Sequence, residues 1–276
     1  MDRPARRRTI ATGKGKLGSP RWSPDGTRLA YLTDRRSKDD KAQLEIRRVG
    51  GGARAATRVT AVPTGVAGPE WSPDGTRLLF LAKGADRAGA EVPTVETDAK
   101  KRLIRVRGFR HRMEGSGYTG VGEPRAHVWV VDAAGGDGPR QVTDGPFDDL
   151  DPTWSPDGRS IAFASDRSVE ADRHFGGEAI HVVDLASRRV RRISPEGRTA
   201  GLPAWSPDGR SIAYLRSESA HRLDGHHNRL WVAGVRGGRE TCWSADLDRS
   251  VGTRPGGYTT PSRPAWAADG RSILHL

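Results

Sequence analysis

The chain has 276 residues, a formal net charge of +12, 34% hydrophobic residues, 35 glycines and one cysteine, Cys242. A single cysteine excludes a disulfide framework, and no apolar run is long enough to span a bilayer. So much glycine argues against a helical protein and for many short strands and turns. The positive charge invites a nucleic-acid reading, yet the arginines are scattered through the chain without the aromatic–basic interleaving of single-strand binders. A solvated, arginine-rich surface is the expectation.

The opening residues, Met1 to Arg8, lead into no apolar segment, so no secretory signal is read there, and a reducing, cytoplasmic setting is expected. From Trp22 onward the chain repeats itself. Trp-Ser-Pro-Asp-Gly stands at Trp22 to Gly26, Trp71 to Gly75, Trp154 to Gly158 and Trp205 to Gly209, and a worn copy, Trp-Ala-Ala-Asp-Gly, at Trp266 to Gly270. The five tryptophans are 49, 83, 51 and 61 residues apart. A period near fifty is that of a four-stranded propeller blade.

Each copy reads as a hairpin corner. Ser-Pro-Asp-Gly suits a type I turn, with Pro presetting φ at the second position and Gly closing the fourth. Tryptophan ends the incoming strand, and an apolar run such as Leu29-Ala30-Tyr31-Leu32 or Ile161-Ala162-Phe163-Ala164 begins the next. The repeat residues Trp22, Asp25, Gly26, Trp71, Asp74, Gly75, Trp154, Asp157, Gly158, Trp205, Asp208, Gly209, Trp266, Asp269 and Gly270 are therefore assigned to scaffolding. Recurrence in every unit is what a scaffold needs and a single active site does not.

In the first unit the strands are expected at 19–22, 27–33, 43–49 and 53–60. The third unit repeats the last three at 161–165, 179–185 and 190–194, and the fourth at 212–216, 229–235 and 240–243. Val59-Thr60, Val142-Thr143 and Ile193-Ser194 each end eleven residues before the next motif tryptophan. The same offset from Trp22 falls on Ala11, so residues 5–12 read as the last strand of an incomplete blade.

The fold class is thus all-β, a propeller of four-stranded blades in one domain over 1–276. The blades run at about 19–67, 68–150 with an inserted arm at 83–122, 151–200 and 201–262, with a partial unit at 263–276. Two arrangements stay open. The N-terminal strand closes a five-bladed ring, or the chain is a piece of a longer propeller. The second is preferred because a closed ring would want the missing third strand of the last unit.

These repeats resemble the TolB-type propeller repeat. More narrowly, the chain resembles the propeller of the prolyl oligopeptidase family of serine peptidases, in its acylaminoacyl-peptidase branch. The residues that carry the likeness are Trp22 to Arg35, the arm Arg105 to Gly117, Gln141 to Asp149, and Leu247 to Gly252. The resemblance implies a seven-bladed lid that restricts entry to an α/β-hydrolase domain carrying a Ser-Asp-His triad. Gly-x-Ser-x-Gly, the strained turn that exposes such a serine, does not occur in this sequence. No catalytic residue is assigned, and the chain alone is expected to be inactive. The implied partners are an α/β-hydrolase domain of the same parent protein and a peptide substrate. No membrane, nucleic acid, metal or cofactor is expected.

Among polar clusters, the arm residues Arg107, Arg110, His111, Arg112 and Glu114 are the candidates for contacting a substrate carboxylate or a partner, against the plainer reading of a solvated hairpin. His221, His226 and His227 with Asp224, and His174 with Asp172 and Glu178, lack zinc-motif spacing and read as solvated loops. Asp148, Asp149 and Asp151 lack calcium-loop spacing and read as turn caps. Cys242 reads as buried filler. The runner-up function is a stand-alone TolB-like propeller serving as a protein-interaction platform.

Overall fold

The computed structural model describes residues 15–35, 41–49, 56–84, 112–113, 117–118, 125–168, 171, 176–217, 227–237, 239–248, 250–251 and 262–274. Four antiparallel sheets of four strands follow one another. The first holds β1 (Leu17–Trp22), β2 (Arg28–Thr33), β3 (Gln43–Arg48) and β4 (Thr57–Arg58). The second holds β5 (Ala67–Trp71), β6 (Arg77–Gly84), β9 (Arg125–Asp132) and β10 (Arg140–Gln141), with a small hairpin, β7 (Arg112–Met113) and β8 (Gly117–Tyr118), inserted between its middle strands. β11 (Asp149–Trp154), β12 (Ser160–Ser165), β13 (Ala179–Asp184) and β14 (Val190–Arg192) make the third. β15 (Ala200–Trp205), β16 (Ser211–Ser217), β17 (Asn228–Gly234) and β18 (Thr241–Cys242) make the fourth, and β19 (Ala265–Trp266) pairs β20 (Ile273–Leu274) alone. The all-β expectation therefore holds. The proposed strand at 5–12 lies outside the described residues, as do most of the arm and the loop histidines 221 and 226.

Hydrophobic cores sit between blades rather than within them. On β6, Leu78 and Phe80 face the first blade and pack with Ala30, Leu44 and Ile46. Leu79, one residue out of phase, faces the third blade and packs with Trp154, Ile161 and Phe163. Successive residues of a strand point to opposite faces, so a sheet between two neighbours must be apolar on both. The same alternation on β16 sends Ile212 and Tyr214 toward the third blade, and Ala213 and Leu215 toward Trp266 and Ile273.

Each motif corner is held the same way. The glycine N–H donates to the carbonyl three residues back, from Gly26 to Ser23, Gly75 to Ser72, Gly158 to Ser155, Gly209 to Ser206 and Gly270 to Ala267. All five glycines lie at positive φ, between 67° and 69°, where a Cβ would be strained. The serine is a buried hub. Ser155 Oγ donates to Asp157 at 2.6 Å and accepts the N–H of Ser160 at 2.9 Å, and Ser23, Ser72 and Ser206 repeat the pattern.

A second device recurs three residues before each tryptophan. The pairing of the first two strands slips there in all four blades. Ser19, Gly68, Asp151 and Leu202 occupy left-handed conformations at that point, each followed by a proline. These bulges bend the first strand. First strands of successive blades lie against one another, β1 on β5 and β11 on β15, whereas the short fourth strands make no comparable approach. The first strands therefore form the inner rim, and Arg263 stands at the bulge position of the last unit.

The fourth strand is sealed to the third by a hydroxyl. Thr60, Thr143, Ser194 and Ser244 accept the N–H of Leu44, Val128, Ile180 and Leu230 at 2.8, 2.9, 2.8 and 2.8 Å. Three of these are the residues whose constant offset from the next tryptophan stands out in the sequence.

Candidate functional site

The motif tryptophans do more than anchor their own strand. Trp71 Nε1 donates to the carbonyl of Arg21 at 2.9 Å, Trp154 to Glu70 at 3.2 Å, Trp205 to Thr153 at 3.4 Å and Trp266 to Ala204 at 3.0 Å. Every acceptor is the residue just before the previous motif tryptophan. Each blade is thus stapled to the one before it, and Trp22, with no described blade in front of it, is left 53% exposed.

Two arginines reinforce the staple. Arg28 Nη2 donates to the carbonyl of Gly75 at 2.8 Å and its guanidinium lies 4.8 Å from the Trp71 ring. Arg77 treats Gly158 and Trp154 alike, at 2.9 Å and 4.9 Å. The equivalent positions in the third and fourth blades are Ser160 and Ser211.

At the opposite ends of the same strands a cavity of about 220 Å³ opens between the second and third blades. Arg125, Phe147, Asp148, Asp166 and Glu178 line it. It lies where β6 and β9 give rise to the inserted arm, so it is the described site nearest that arm. Asp148 accepts the N–H of Ala126 at 2.8 Å and pairs with Arg125 at 3.1 Å. Asp166 caps Ser168. Glu178 is buried, and among the described residues its Oε2 has no hydrogen-bond partner. A buried carboxylate oxygen without a donor is costly, and it marks the place where a ligand's N–H would be welcome.

Behind that cavity lies a buried charge cluster. His127 Nδ1 stands 3.3 Å from Asp149 Oδ2, and Arg167 donates to Asp149 Oδ1 at 2.9 Å. Burial pushes the Asp149 carboxyl up, but the hydrogen bond to His127, the Arg167 charge and Thr143 outweigh it and hold the group below the usual carboxylate range. His181, stacked on Phe163 at 5.7 Å, is depressed to about 4, first by burial and then by the Arg167 charge. The His127–Asp149 pair is the geometry from which a hydrolytic triad would start, but it is sealed from solvent and His127 Nε2 meets no hydroxyl. It can position strands; it cannot activate a nucleophile that it does not touch.

The acidic run before Trp154 is therefore three separate devices. Asp148 caps a neighbouring strand, Asp149 is a buried counter-ion, and Asp151 accepts the N–H of Leu202 from the fourth blade at 3.2 Å. Asp149 departs from the turn-cap reading because its side chain points between blades, which only the packing fixes. Cys242 is half-buried rather than buried, since β18 is an outer strand, and its neighbour Trp243 packs edge-on against Trp266 with ring centres 5.5 Å apart. Among the candidate arm residues, Arg112 falls on the backbone of β7, while Arg107, Arg110, His111 and Glu114 lie outside the described residues. Among the described residues, no group of three or more His, Cys, Asp or Glu side chains is placed to hold a metal.

Radial four-stranded sheets joined through their inner strands, with this corner in each, define a β-propeller. Residues 121–230 match the TolB β-propeller domain. Across 266 residues, 95% of its length, the chain is 29% identical to the uncharacterized peptidase YuxL of Bacillus subtilis, of which it spans 39%. Over 130 residues, 45% of its length, it is 32% identical to dipeptidyl-peptidase 5 of Porphyromonas gingivalis, of which that match covers 17%. Among solved structures it shares the fold of the acylaminoacyl peptidase of Pyrococcus horikoshii, with a TM-score of 0.58 and 17% identity over 86% of this chain and 33% of that one. The chain thus spans well under half the length of these relatives.

Proposed function

We propose that this chain is the substrate-gating propeller of a serine peptidase of the prolyl oligopeptidase type, acting on short or N-acylated peptides in the cytoplasm. The α/β-hydrolase domain that would do the cutting belongs to the same parent protein and is not part of this sequence. One observation carries the reading: nearly the whole chain aligns with well under half of a peptidase. The propeller's part is steric and electrostatic. Stapled blades keep folded proteins out, while the cavity at the base of the arm offers carboxylates, Glu178 foremost, to the amide or amino groups of an entering peptide.

The purified chain, incubated with an N-acetyl-amino-acid p-nitroanilide, is expected to show no turnover; hydrolysis by the chain alone overturns the proposal. Sequencing the gene past the codon for Leu276 gives the positive test. A continuing frame that encodes Gly-x-Ser-x-Gly between a strand and a helix supports a peptidase lid. An immediate stop codon overturns it in favour of a TolB-like interaction platform, with which the match over residues 121–230 is also compatible.

A further inference from the structure

The molecule contains its own precedent for binding a guanidinium, used twice and then left vacant. At the first and second blade junctions, Arg28 and Arg77 each place a guanidinium on the next motif tryptophan and donate to the next motif glycine carbonyl. There the tryptophans are closed off, Trp71 at 7% and Trp154 at 5% exposure, and Gly75 and Gly158 are buried. A Cβ built on Gly75 would stand 3.1 Å from Arg28 Nη2, and one on Gly158 would stand 3.5 Å from Arg77 Nη2.

At the third junction the arginine position is Ser160, whose side chain is too short to cross. Trp205 and Gly209 are correspondingly only half-buried, and a Cβ on Gly209 would meet Pro156 rather than a guanidinium. A notch of about 430 Å³ remains, lined by Ser160, Trp205 and Gly209 with Asp157, Asp208 and Arg191. Arg191 is engaged with the carbonyl of Val235. The carboxylates of Asp157 and Asp208 also line the notch, Asp208 standing 4.0 Å from Arg210. The fourth junction also lacks the arginine, having Ser211, but there Trp243 lies edge-on against Trp266.

We propose that the notch between the third and fourth blades receives an arginine side chain from a second polypeptide, stacked on Trp205 and donating to the Gly209 carbonyl. The chemistry is that of the two internal junctions: a planar cation over an indole face, with N–H donors aimed at a carbonyl. A lysine ammonium lacks the flat fork and fits this pair of partners less well. The site is independent of the peptidase reading, since it lies at the motif corners, at the far end of the strands from the arm.

The test uses the whole chain and three acetylated, amidated pentapeptides of glycine with a central arginine, lysine or citrulline, titrated against intrinsic tryptophan fluorescence and by calorimetry. The arginine peptide is expected to bind about tenfold more tightly than the lysine peptide, and the citrulline peptide not measurably. Ser160→Arg, which supplies the missing guanidinium internally, is expected to abolish binding while raising the unfolding midpoint. Trp205→Leu is expected to weaken binding at least about tenfold, and serves if Ser160→Arg does not fold. Absence of binding by the arginine peptide, equal binding of arginine and lysine, or full binding by both variants would overturn the proposal. Peptidase activity plays no part in the readout.

Discussion

Arg263 Nη1 lies 3.0 Å from Glu70 Oε2, joining the last repeat to the second across 193 residues of sequence. The same guanidinium donates through Nη2 to the carbonyls of Asp151 and Pro152, both at 3.1 Å. The other carboxylate oxygen, Glu70 Oε1, accepts Thr153 Oγ1 at 2.8 Å and the N–H of Trp154 at 3.0 Å. One carboxylate and one guanidinium thus gather the inner strands of the second and third blades and the start of the fifth.

The two contributions of Glu70 can be separated. Both side chains of the ion pair are about 30% exposed, so solvent screens it, and Glu70→Gln is expected to cost about 1 kcal/mol or less. Glu70→Ala also strips the acceptor from Trp154 N–H and Thr153, and should cost about 1–3 kcal/mol more. Urea unfolding of Glu70→Gln, Glu70→Ala and Arg263→Ala checks the order. Equal losses for Gln and Ala would show that the strand contacts contribute nothing.

Arg77 closes the second junction with a charged hydrogen bond and a stacked ring. Its replacement by Ala should lower stability by about 2 kcal/mol, because a charge-assisted bond to the carbonyl of the buried Gly158 and a cation–π contact are lost together. Arg77→Lys should fall between, keeping charge and losing the fork. Denaturation midpoints of the two variants decide it.

Acid should loosen the corners. Hydrogen bonds from Ser23 and Ser72, helped by Thr27 and Thr76, hold Asp25 and Asp74 at about 2, below their ordinary 3.8. Asp157 and Asp208 are lowered for the same reason. A carboxyl depressed in the folded state stabilises fully above its unfolded value, and that stability is lost as pH falls from about 4 to about 2. Replacing these aspartates with asparagine should flatten the decline in that window while lowering stability at neutral pH, as followed by urea midpoints across pH.

His181 gives a separate window. An imidazole held at about 4 by burial and by Arg167 stays neutral in the folded chain, while the unfolded chain takes up a proton near 6.5. Stability is then complete above about 6.5 and declines as pH falls toward about 4, by about 3 kcal/mol at most. His181→Phe, which keeps the stack on Phe163, should remove that slope. A slope unchanged in the variant would assign it to another group.

Asp149 is the counter-ion of the half-buried Arg167 guanidinium and the partner of a buried imidazole. Asp149→Asn should destabilise by about 3–5 kcal/mol, because Arg167 would be left uncompensated. Calorimetric unfolding tests this. A loss below about 1 kcal/mol would mean that water reaches the cluster.

The corners, the strands and the apolar alternation are legible in the sequence because each rests on neighbours a few residues apart. Trp-Ser-Pro-Asp-Gly sets a turn through its own hydroxyl, carboxylate and left-handed glycine, whatever surrounds it. Even the exchange of Thr27-Arg28 and Thr76-Arg77 for Arg159-Ser160 and Arg210-Ser211 is visible as letters. Its consequence is not, because Arg28 and Arg77 act on a tryptophan and a glycine of the following blade. The same holds for Arg263 on Glu70, for the separate fates of Asp148, Asp149 and Asp151, and for the notch at Ser160. The sequence determined a chain of repeated β units by local turn chemistry and a two-residue period. Only the tertiary structure decided which side chains meet between units, because those distances depend on how whole sheets pack, and no short stretch of chain encodes that.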